Sequence, residues 1–172
     1  MGGLESLWAG WRSEYIERVT DGPDDSTGGC VMCRLVDADP DDPDAGIVWR
    51  GEGMTVALNA YPYTSGHAMV IPHRHAGDLE ELAAEESAAL WSAVIDTVRA
   101  VKQAYRPDGA NVGANLGHAA GAGVPGHLHV HVLPRWAADT NFMTTVAGAR
   151  VLPEALPVSR TKLRAAWPAS PS

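Results

Sequence analysis

The sequence predicts an α+β domain with an antiparallel sheet. Two groups of short strand-like segments flank one long amphipathic helix, so the order along the chain is strands, helix, strands. The chain has 172 residues, of which 45% are hydrophobic and 20% are charged. This length and composition are typical of one soluble domain with a substantial core.

The chain begins with a predicted amphipathic helix at about residues 4–19. Apolar residues recur there at helical spacing, namely Leu4, Leu7, Trp8, Trp11, Tyr15 and Val19. Two polar segments follow, at 21–29 and 37–46, and both have the composition of loops. The second is acidic and broken by proline, and a solvated connection explains it better than a cation site.

Three strands are predicted next. The stretch IVWRGEGMTVALNAYP, which starts at Ile47, indicates two strands joined by a turn at 51–53. The stretch GHAMVIPHRH (66–75) indicates a third strand after a bend at YPYTSG.

The long helix is predicted to start near Asp78, which forms a capping-box pattern with Glu81, and to end before Pro107. Beyond it, the sequence predicts a short strand at 110–117, a glycine-rich loop at 117–126, a strand at 127–134 and a C-terminal helix at about 153–166. The apolar face of the long helix carries Leu90, Val94, Val98, Val101 and Tyr105.

The net charge of −8 argues against a nucleic-acid partner but permits a small anionic substrate. The start of the chain does not resemble an export signal, and no apolar run has the length of a membrane span. The sequence therefore predicts a cytoplasmic protein without a membrane partner, in which Cys30 and Cys33 do not form a structural disulfide.

Three histidines, His127, His129 and His131, alternate with apolar residues. Because successive side chains of a strand point to opposite faces, all three are expected on one face, with Leu128 and Val130 facing the core. A single histidine beside a sheet is usually structural, whereas three in alternation favour a functional site. The residues leave two chemistries open: a catalytic metal held by all three rings, or a neutral imidazole that attacks an acyl or phosphoryl group.

The glycine-rich loop before these histidines favours a phosphate ester substrate. Its glycines (117, 121, 123 and 126) allow backbone N–H groups to converge on an anion. Arg135 could contact a phosphate as well, although an exposed structural arginine explains it equally well.

The motif His127-Leu-His129-Val-His131-Val-Leu resembles the signature of the histidine triad superfamily. The stretch ALNAYPYTSGHAMVIPHRH is similar to the family's preceding hairpin, with Asn59 eight residues before His67. NVGANLG and HLHVHVLPRWAADTNFM are most similar to the actinobacterial diadenosine tetraphosphate phosphorylases of that superfamily.

This resemblance implies a HIT-like fold, in which one long helix and the terminal helices accompany the antiparallel sheet. It also implies a nucleotidyl transferase or hydrolase that cleaves dinucleoside polyphosphates through a covalent nucleotidyl-His129 intermediate, with phosphate or water as the acceptor. His131 would contact the phosphate, Asn59 the ribose, and Asn115 would line the phosphate site. The resemblance leaves two alternatives: a purine nucleotide phosphoramidase-type hydrolase, or a nucleotide-binding protein with little catalysis.

Three further residues bear on the substrate. Many relatives carry Gln, Ser or Thr four residues before the first triad histidine, but this chain has Gly123, so backbone or water would meet the leaving group there. His118 could supply a proton to the leaving group or be a merely exposed loop residue. Trp136 is expected either to contact substrate or to pack at the strand end or a dimer interface.

The resemblance also implies a structural zinc ion, held by Cys30, Cys33, His75 and His127. A Cys₂His₂ set suits a closed tetrahedral site, although a Cys-x-x-Cys pair alone is weak evidence, because redox use or chance also explains it. Zinc there would remove His127 from the chemistry, and no organic cofactor is expected.

The whole chain, 1–172, is predicted to form a single HIT domain. Its core would span about 28–140, preceded by the helix at about 4–19 and followed by a C-terminal extension at about 141–172. The expected partners are an adenine nucleotide, inorganic phosphate and a second copy of the chain in a homodimer.

Overall fold

A five-stranded antiparallel sheet forms the centre of the computed structural model, which describes residues 29–137, 139 and 154–169. The spatial order of the strands is β1-β2-β3-β5-β4, so β1 and β4 are the edges. The strands are β1 (Ile47–Arg50), β2 (Met54–Leu58), β3 (Ala68–Pro72), β4 (Gly109–Gly113) and β5 (Val130–Arg135).

Three α-helices cover the two faces of this sheet in the described residues: α1 (Val31–Asp37), α2 (Ala84–Tyr105) and α3 (Leu156–Ala165). Helices α2 and α3 pack on one face and form the main core with the sheet. Helix α1 packs on the opposite face through Met32 and Val36. The prediction of an α+β fold with one long helix on an antiparallel sheet is confirmed.

The apolar alternation of the central strands explains why they are buried on both sides. In β2, Val56 faces the main core, whereas its neighbour Ala57 faces helix α1. All five residues of β2 and all five of β3 are buried because helices lie on both faces. Leu90 and Val101 of α2 are fully buried against this sheet, as the helical spacing predicts.

The predicted start of the long helix is wrong by about six residues. Asp78 caps only a short 3-10 helix, Leu79–Glu81, where its carboxylate accepts from the Leu79 amide at 2.7 Å. Helix α2 begins at Ala84, and the Glu86 carboxylate accepts from the Ala83 amide at 2.8 Å. The helix ends at Tyr105, before the proline, as predicted.

The predicted strand at 127–134 also needs correction, because β5 starts at Val130 and leaves His127 and His129 before it. The pairing with β3 ends at Val70↔Val130, and the Pro72 carbonyl beyond it lies 2.9 Å from the His127 ring nitrogen Nε2. The alternation persists nevertheless: Leu128 and Val130 are buried in the main core.

Other boundaries shift slightly. The third strand is shorter than 66–75, the fourth ends at Gly113, and the C-terminal helix is Leu156–Ala165. Helix α1 was not predicted. The helix predicted at 4–19 lies outside the described residues, and the domain limits 1–172, 28–140 and 141–172 stay a prediction. No described helix is long and apolar enough to cross a membrane.

Candidate active site and metal centre

A cavity of about 930 Å³ opens on the sheet face that carries α1. This volume lies near the upper end of the range of about 300–1,000 Å³ that is usual for small-molecule sites. Helix α1 gives the cavity an apolar wall through Val31, Met32 and Leu35. Of the residues predicted to serve the substrate, all but Arg135 and Trp136 line it: Asn59, Asn115, His118, Gly123, His129 and His131.

His129 lies in the cavity wall and is 5% exposed. Its Nδ1 lies 2.8 Å from the backbone carbonyl of His127, so Nδ1 carries the proton and Nε2 bears the lone pair. Burial lowers the pKa of His129, although the bond to the His127 carbonyl opposes this shift. The imidazole is therefore neutral at neutral pH, and its Nε2 lone pair could act as a nucleophile.

Two residues outside the triad determine which ring nitrogen of His131 carries the proton. The Tyr63 amide donates to His67 Nδ1 at 3.1 Å, so the His67 proton must be on Nε2. That Nε2 lies 2.9 Å from His131 Nδ1 and donates to it. With Nδ1 as the acceptor, the His131 ring carries its proton on Nε2. We call Tyr63, His67 and His131 the histidine relay.

The relay presents a donor beside the nucleophile. The rings of His129 and His131 meet edge to face, with centroids 4.9 Å apart. A lone pair and an N–H on adjacent rings suit attack on phosphorus with stabilisation of a phosphoryl oxygen.

His67 is a candidate site residue that sequence reasoning did not single out, and its Nε2 lies 2.9 Å from His131 Nδ1. It is fully buried and precedes β3 directly. A polar residue at the head of a strand that is otherwise entirely apolar was the available signal, but which group it would meet depends on the pairing of β3 with β5.

Two asparagines approach the cavity from different elements. Asn59 follows β2, is 9% exposed, and its side-chain oxygen accepts from the Tyr61 amide at 2.9 Å. Asn115 follows β4, and its amide nitrogen donates to the Gly121 carbonyl at 3.4 Å across the glycine-rich loop. Both amide side chains are thus held by local backbone rather than by the sheet.

Trp136 and Arg135 lie at the end of β5 and do not line the cavity. The Trp136 ring meets Tyr105 edge to face, with centroids 6.3 Å apart. The Arg135 guanidinium donates to both carboxylate oxygens of Asp139, at 2.6 and 2.8 Å, and to Asn111 at 2.8 Å. These contacts correspond to the packing role that the sequence left open for Trp136 and to a structural role for Arg135.

Cys30, Cys33, His75 and His127 converge beside the cavity, with their ligand atoms all within 4.8 Å of one another. Cys30 precedes α1, Cys33 lies in its first turn, and the two histidines follow β3 and precede β5. The Nδ1 of His127 lies 3.4 Å from Cys30 Sγ and 3.5 Å from Cys33 Sγ, and Cys33 Sγ lies 3.3 Å from His75 Nδ1.

These four residues are placed to bind a metal ion. In a tetrahedral zinc site, a sulfur and a nitrogen ligand lie about 3.5 Å apart, which matches the measured separations. The second ring nitrogen of His127 is directed at the Pro72 carbonyl, which fixes Nδ1 as the ligand atom. Burial and the neighbouring Cys30 raise the pKa of the Cys33 thiol, and a bound cation would favour its thiolate form.

His127 therefore does not share a metal with the other two triad histidines, since both its ring nitrogens are directed elsewhere. Its backbone carbonyl instead holds the ring of His129. The candidate metal centre and the candidate nucleophile are thus joined through one residue.

Comparisons with known proteins identify the family of this chain. The family model for the HIT domain matches residues 42–138, more than half of the chain. AP-4-A phosphorylase of Mycobacterium tuberculosis (strain CDC 1551 / Oshkosh) is 37% identical over 169 residues, which span 98% of this chain and 87% of that protein.

Two further relatives differ in coverage. Bis(5'-nucleosyl)-tetraphosphatase [asymmetrical] of Schizosaccharomyces pombe is 31% identical over 93 residues, 54% of this chain and 50% of that protein. The crystal structure of a Zn-bound histidine triad family protein from Mycobacterium smegmatis has a TM-score of 0.64 and 31% identity, and covers 80% of this chain and 91% of that one.

These findings confirm the predicted family and its fold. They also confirm the prediction that the protein is an enzyme of this family, because relatives named as enzymes match the chain. The family match includes all three histidines of the motif as well as the strands that position them. The chain belongs to the HIT family.

Proposed function

We propose that this protein cleaves dinucleoside polyphosphates by transferring a nucleotidyl group to His129 and then to phosphate or water. The single observation that carries this proposal is the buried, neutral His129, whose Nδ1–H is fixed on the His127 carbonyl and whose Nε2 is left as the nucleophile. The names of the mycobacterial phosphorylase and the yeast tetraphosphatase support this substrate class.

In the first step, the Nε2 lone pair of His129 forms a bond to the α-phosphorus while the bond to the bridging oxygen breaks. The leaving nucleotide departs with the electron pair of that bond. In the second step, an oxygen of phosphate or water attacks the same phosphorus, the P–N bond breaks, and its electron pair returns to Nε2. Where water is the acceptor, it releases a proton to the solvent as the new P–O bond forms.

The other cavity residues take supporting roles in this proposal. The Nε2–H of His131 donates to a phosphoryl oxygen, and His67 fixes that proton. Asn59 binds the ribose, and Asn115 lines the phosphate site. The apolar wall of α1 receives the adenine base. Gly123 contributes backbone only, so the leaving group meets main chain or water there.

The metal at Cys30, Cys33, His75 and His127 is zinc in this proposal, because two thiols and two imidazoles are the ligands of closed zinc sites. The name of the Zn-bound M. smegmatis neighbour supports this assignment. The ion is structural: it ties α1 to the segments that follow β3 and precede β5, and it takes no part in bond making.

A homodimer completes the proposal. Strand β4 is an edge of the sheet, and it carries the exposed residue Val112, with Leu116 exposed just beyond it. An apolar edge strand of this kind favours pairing with a second copy of the chain.

The experiment is a product assay with diadenosine tetraphosphate in the presence and absence of inorganic phosphate. A phosphorylase yields ADP and ATP, whereas a hydrolase yields AMP and ATP regardless of phosphate. His129→Ala should lower turnover by at least about 1,000-fold, since it removes the nucleophile. Mass spectrometry of acid-quenched enzyme should show a nucleotidyl adduct on the peptide that contains residue 129. Turnover by His129→Ala near the wild-type rate would refute the mechanism.

Gly123 favours one alternative, a nucleotide-binding protein with little catalysis, because no side chain there can meet the leaving group. Tight AMP binding without turnover of diadenosine polyphosphates or adenosine phosphoramidate would support that alternative. Turnover of the phosphoramidate alone would indicate a phosphoramidase-type hydrolase.

A further inference from the structure

We infer that Tyr105 is a positioning residue for the histidine relay: its ring, anchored by the C-terminal helix α3, holds Gly66 and thereby His67 in line with His131. The effect on catalysis rests on the proposed function, whereas the effect on His131 itself can be measured without it.

The Tyr105 ring lies directly against the backbone of Gly66. A Cβ built on Gly66 would lie 2.5 Å from Tyr105 Cε2 and 2.9 Å from Cζ, closer than any side chain allows. Gly66 also has a φ of 79°, which favours glycine. Gly66 therefore leaves room for the Tyr105 ring because it has no side chain. The ring limits the positions that the backbone at Gly66 can take.

The side chains of Glu154, Ser159 and Lys162 hold the Tyr105 ring. Its hydroxyl donates to Glu154 Oε1 at 2.6 Å, and the Ser159 hydroxyl donates to the same oxygen at 2.7 Å. The Lys162 ammonium pairs with the Glu154 carboxylate and lies 5.5 Å from the centroid of the Tyr105 ring. Two of these residues belong to α3, so the hydroxyl end of the ring is tied to that helix at Ser159 and Lys162.

The contact matters for the site because Gly66 is bonded to His67. The His67 ring is fully buried and must place Nε2 2.9 Å from His131 Nδ1. A hydrogen bond of this kind weakens steeply with distance and angle. A small displacement of the turn would therefore allow the proton of His131 to occupy either ring nitrogen. The anchoring residues lie beyond residues 42–138, so this support comes from outside the part of the chain that matches the family model.

The chain offers a matched control at the other end of α3. Trp167, just after the helix, stacks on Trp49 with ring centroids 5.1 Å apart. Trp49 lies on the edge strand β1, which pairs with neither β3 nor β5. Trp167→Leu therefore loosens α3 without removing the contact with Gly66.

The experiment compares Tyr105→Leu, Tyr105→Phe and Trp167→Leu in the full-length, metal-loaded protein. Turnover of diadenosine tetraphosphate gives kcat and KM, and nitrogen NMR of labelled histidine reports which ring nitrogen of His131 carries the proton. Tyr105→Leu should lower kcat about tenfold and change KM less than about threefold, since a misplacement of about 1 Å can lower a rate about 100-fold. Its His131 signals should shift towards a mixture of tautomers.

The conservative variant and the control should behave differently. Tyr105→Phe keeps the ring on Gly66, so kcat should stay within about threefold of wild type, the effect of one partly exposed hydrogen bond. Trp167→Leu should lower the melting temperature but leave kcat and the His131 signals unchanged. Tyr105→Leu with wild-type kcat and His131 signals, or Trp167→Leu with an equal loss of kcat, would overturn the inference.

Two further outcomes remain decisive. If Tyr105→Leu does not fold, Tyr105→Met replaces it, since methionine keeps much of the volume but not the ring that lies against Gly66, and wild-type His131 signals in that variant would refute the inference. If the wild-type protein turns over no dinucleoside polyphosphate, the proposed function fails, but the His131 signals still decide the role of Tyr105.

Discussion

Replacing His67 by phenylalanine removes the donor to His131 while it keeps a ring of similar size in a fully buried position. Among the described residues, the change removes the hydrogen bond from the Tyr63 amide to His67 Nδ1 at 3.1 Å and the one from His67 Nε2 to His131 Nδ1 at 2.9 Å. Each costs about 1–3 kcal/mol when a buried group loses its partner, and Tyr63 and His131 are only partly buried. We therefore expect the free energy of unfolding to fall by about 2–3 kcal/mol.

The effect on catalysis should be larger than this loss of stability suggests. Without His67, the proton of His131 can occupy either ring nitrogen, and the donor to the phosphoryl oxygen is no longer fixed. A hydrogen bond to a charged group is worth about 1.5–3 kcal/mol, so kcat should fall about 10- to 100-fold. KM should change little if the donor acts mainly on the transition state.

His73 provides the control, because it lies directly after β3, whereas His67 lies directly before β3. Its Nε2 lies 2.9 Å from the hydroxyl of the fully buried Thr55, but it does not line the cavity. His73→Phe should lower stability by a similar amount and leave kcat unchanged. The assay is phosphate-dependent product formation, with stability measured by denaturant unfolding and zinc content checked in both variants. A folded His67→Phe protein with kcat within about threefold of wild type would refute the relay.

Three other predictions concern the metal, the assembly and the response to acid. The protein should contain about one zinc per chain. The Cys33→Ser protein should lose the ion and unfold at a lower temperature. Its turnover of substrate should also be slower, because the His127 carbonyl that orients His129 is then less well held. Metal analysis showing undiminished zinc would contradict this prediction. Val112→Asp on edge strand β4 should convert a dimer to a monomer in light scattering, whereas a monomeric wild type would contradict the proposed assembly. The hydrogen bond from Arg74 lowers the pKa of Glu86 from 4.5 to about 2, so this pair should stabilise the fold above about pH 4.5 and lose that effect as the pH falls through about 2. Thermal unfolding of Glu86→Gln should therefore differ from wild type at neutral pH and match it in strong acid, and a difference that persists there would argue against the pairing.

Local patterns were sufficient for much of the fold. Alternation of apolar residues placed β1 and β2 on either side of their turn, and helical spacing placed the buried face of α2, including Leu90 and Val101. Strand and helix ends were less well predicted, because Asp78 caps a separate 3-10 helix and the pairing of β5 with β3 ends at Val130. Helix α1 was missed, since its seven residues are too few for periodicity to indicate a helix.

The sequence by itself indicated which residues are candidates for the site. Three imidazoles in alternation, a glycine-rich loop and a Cys-x-x-Cys pair are local patterns, and their resemblance to one family predicted a nucleophile and four metal ligands. Only the tertiary structure decided how these groups are oriented. The Nδ1–H of His129 is fixed by a carbonyl and the proton of His131 by His67, and the turn before His67 packs against Tyr105. The physical reason is that a proton position depends on the partner of the other ring nitrogen, and His67 lies 64 residues from His131 in the chain.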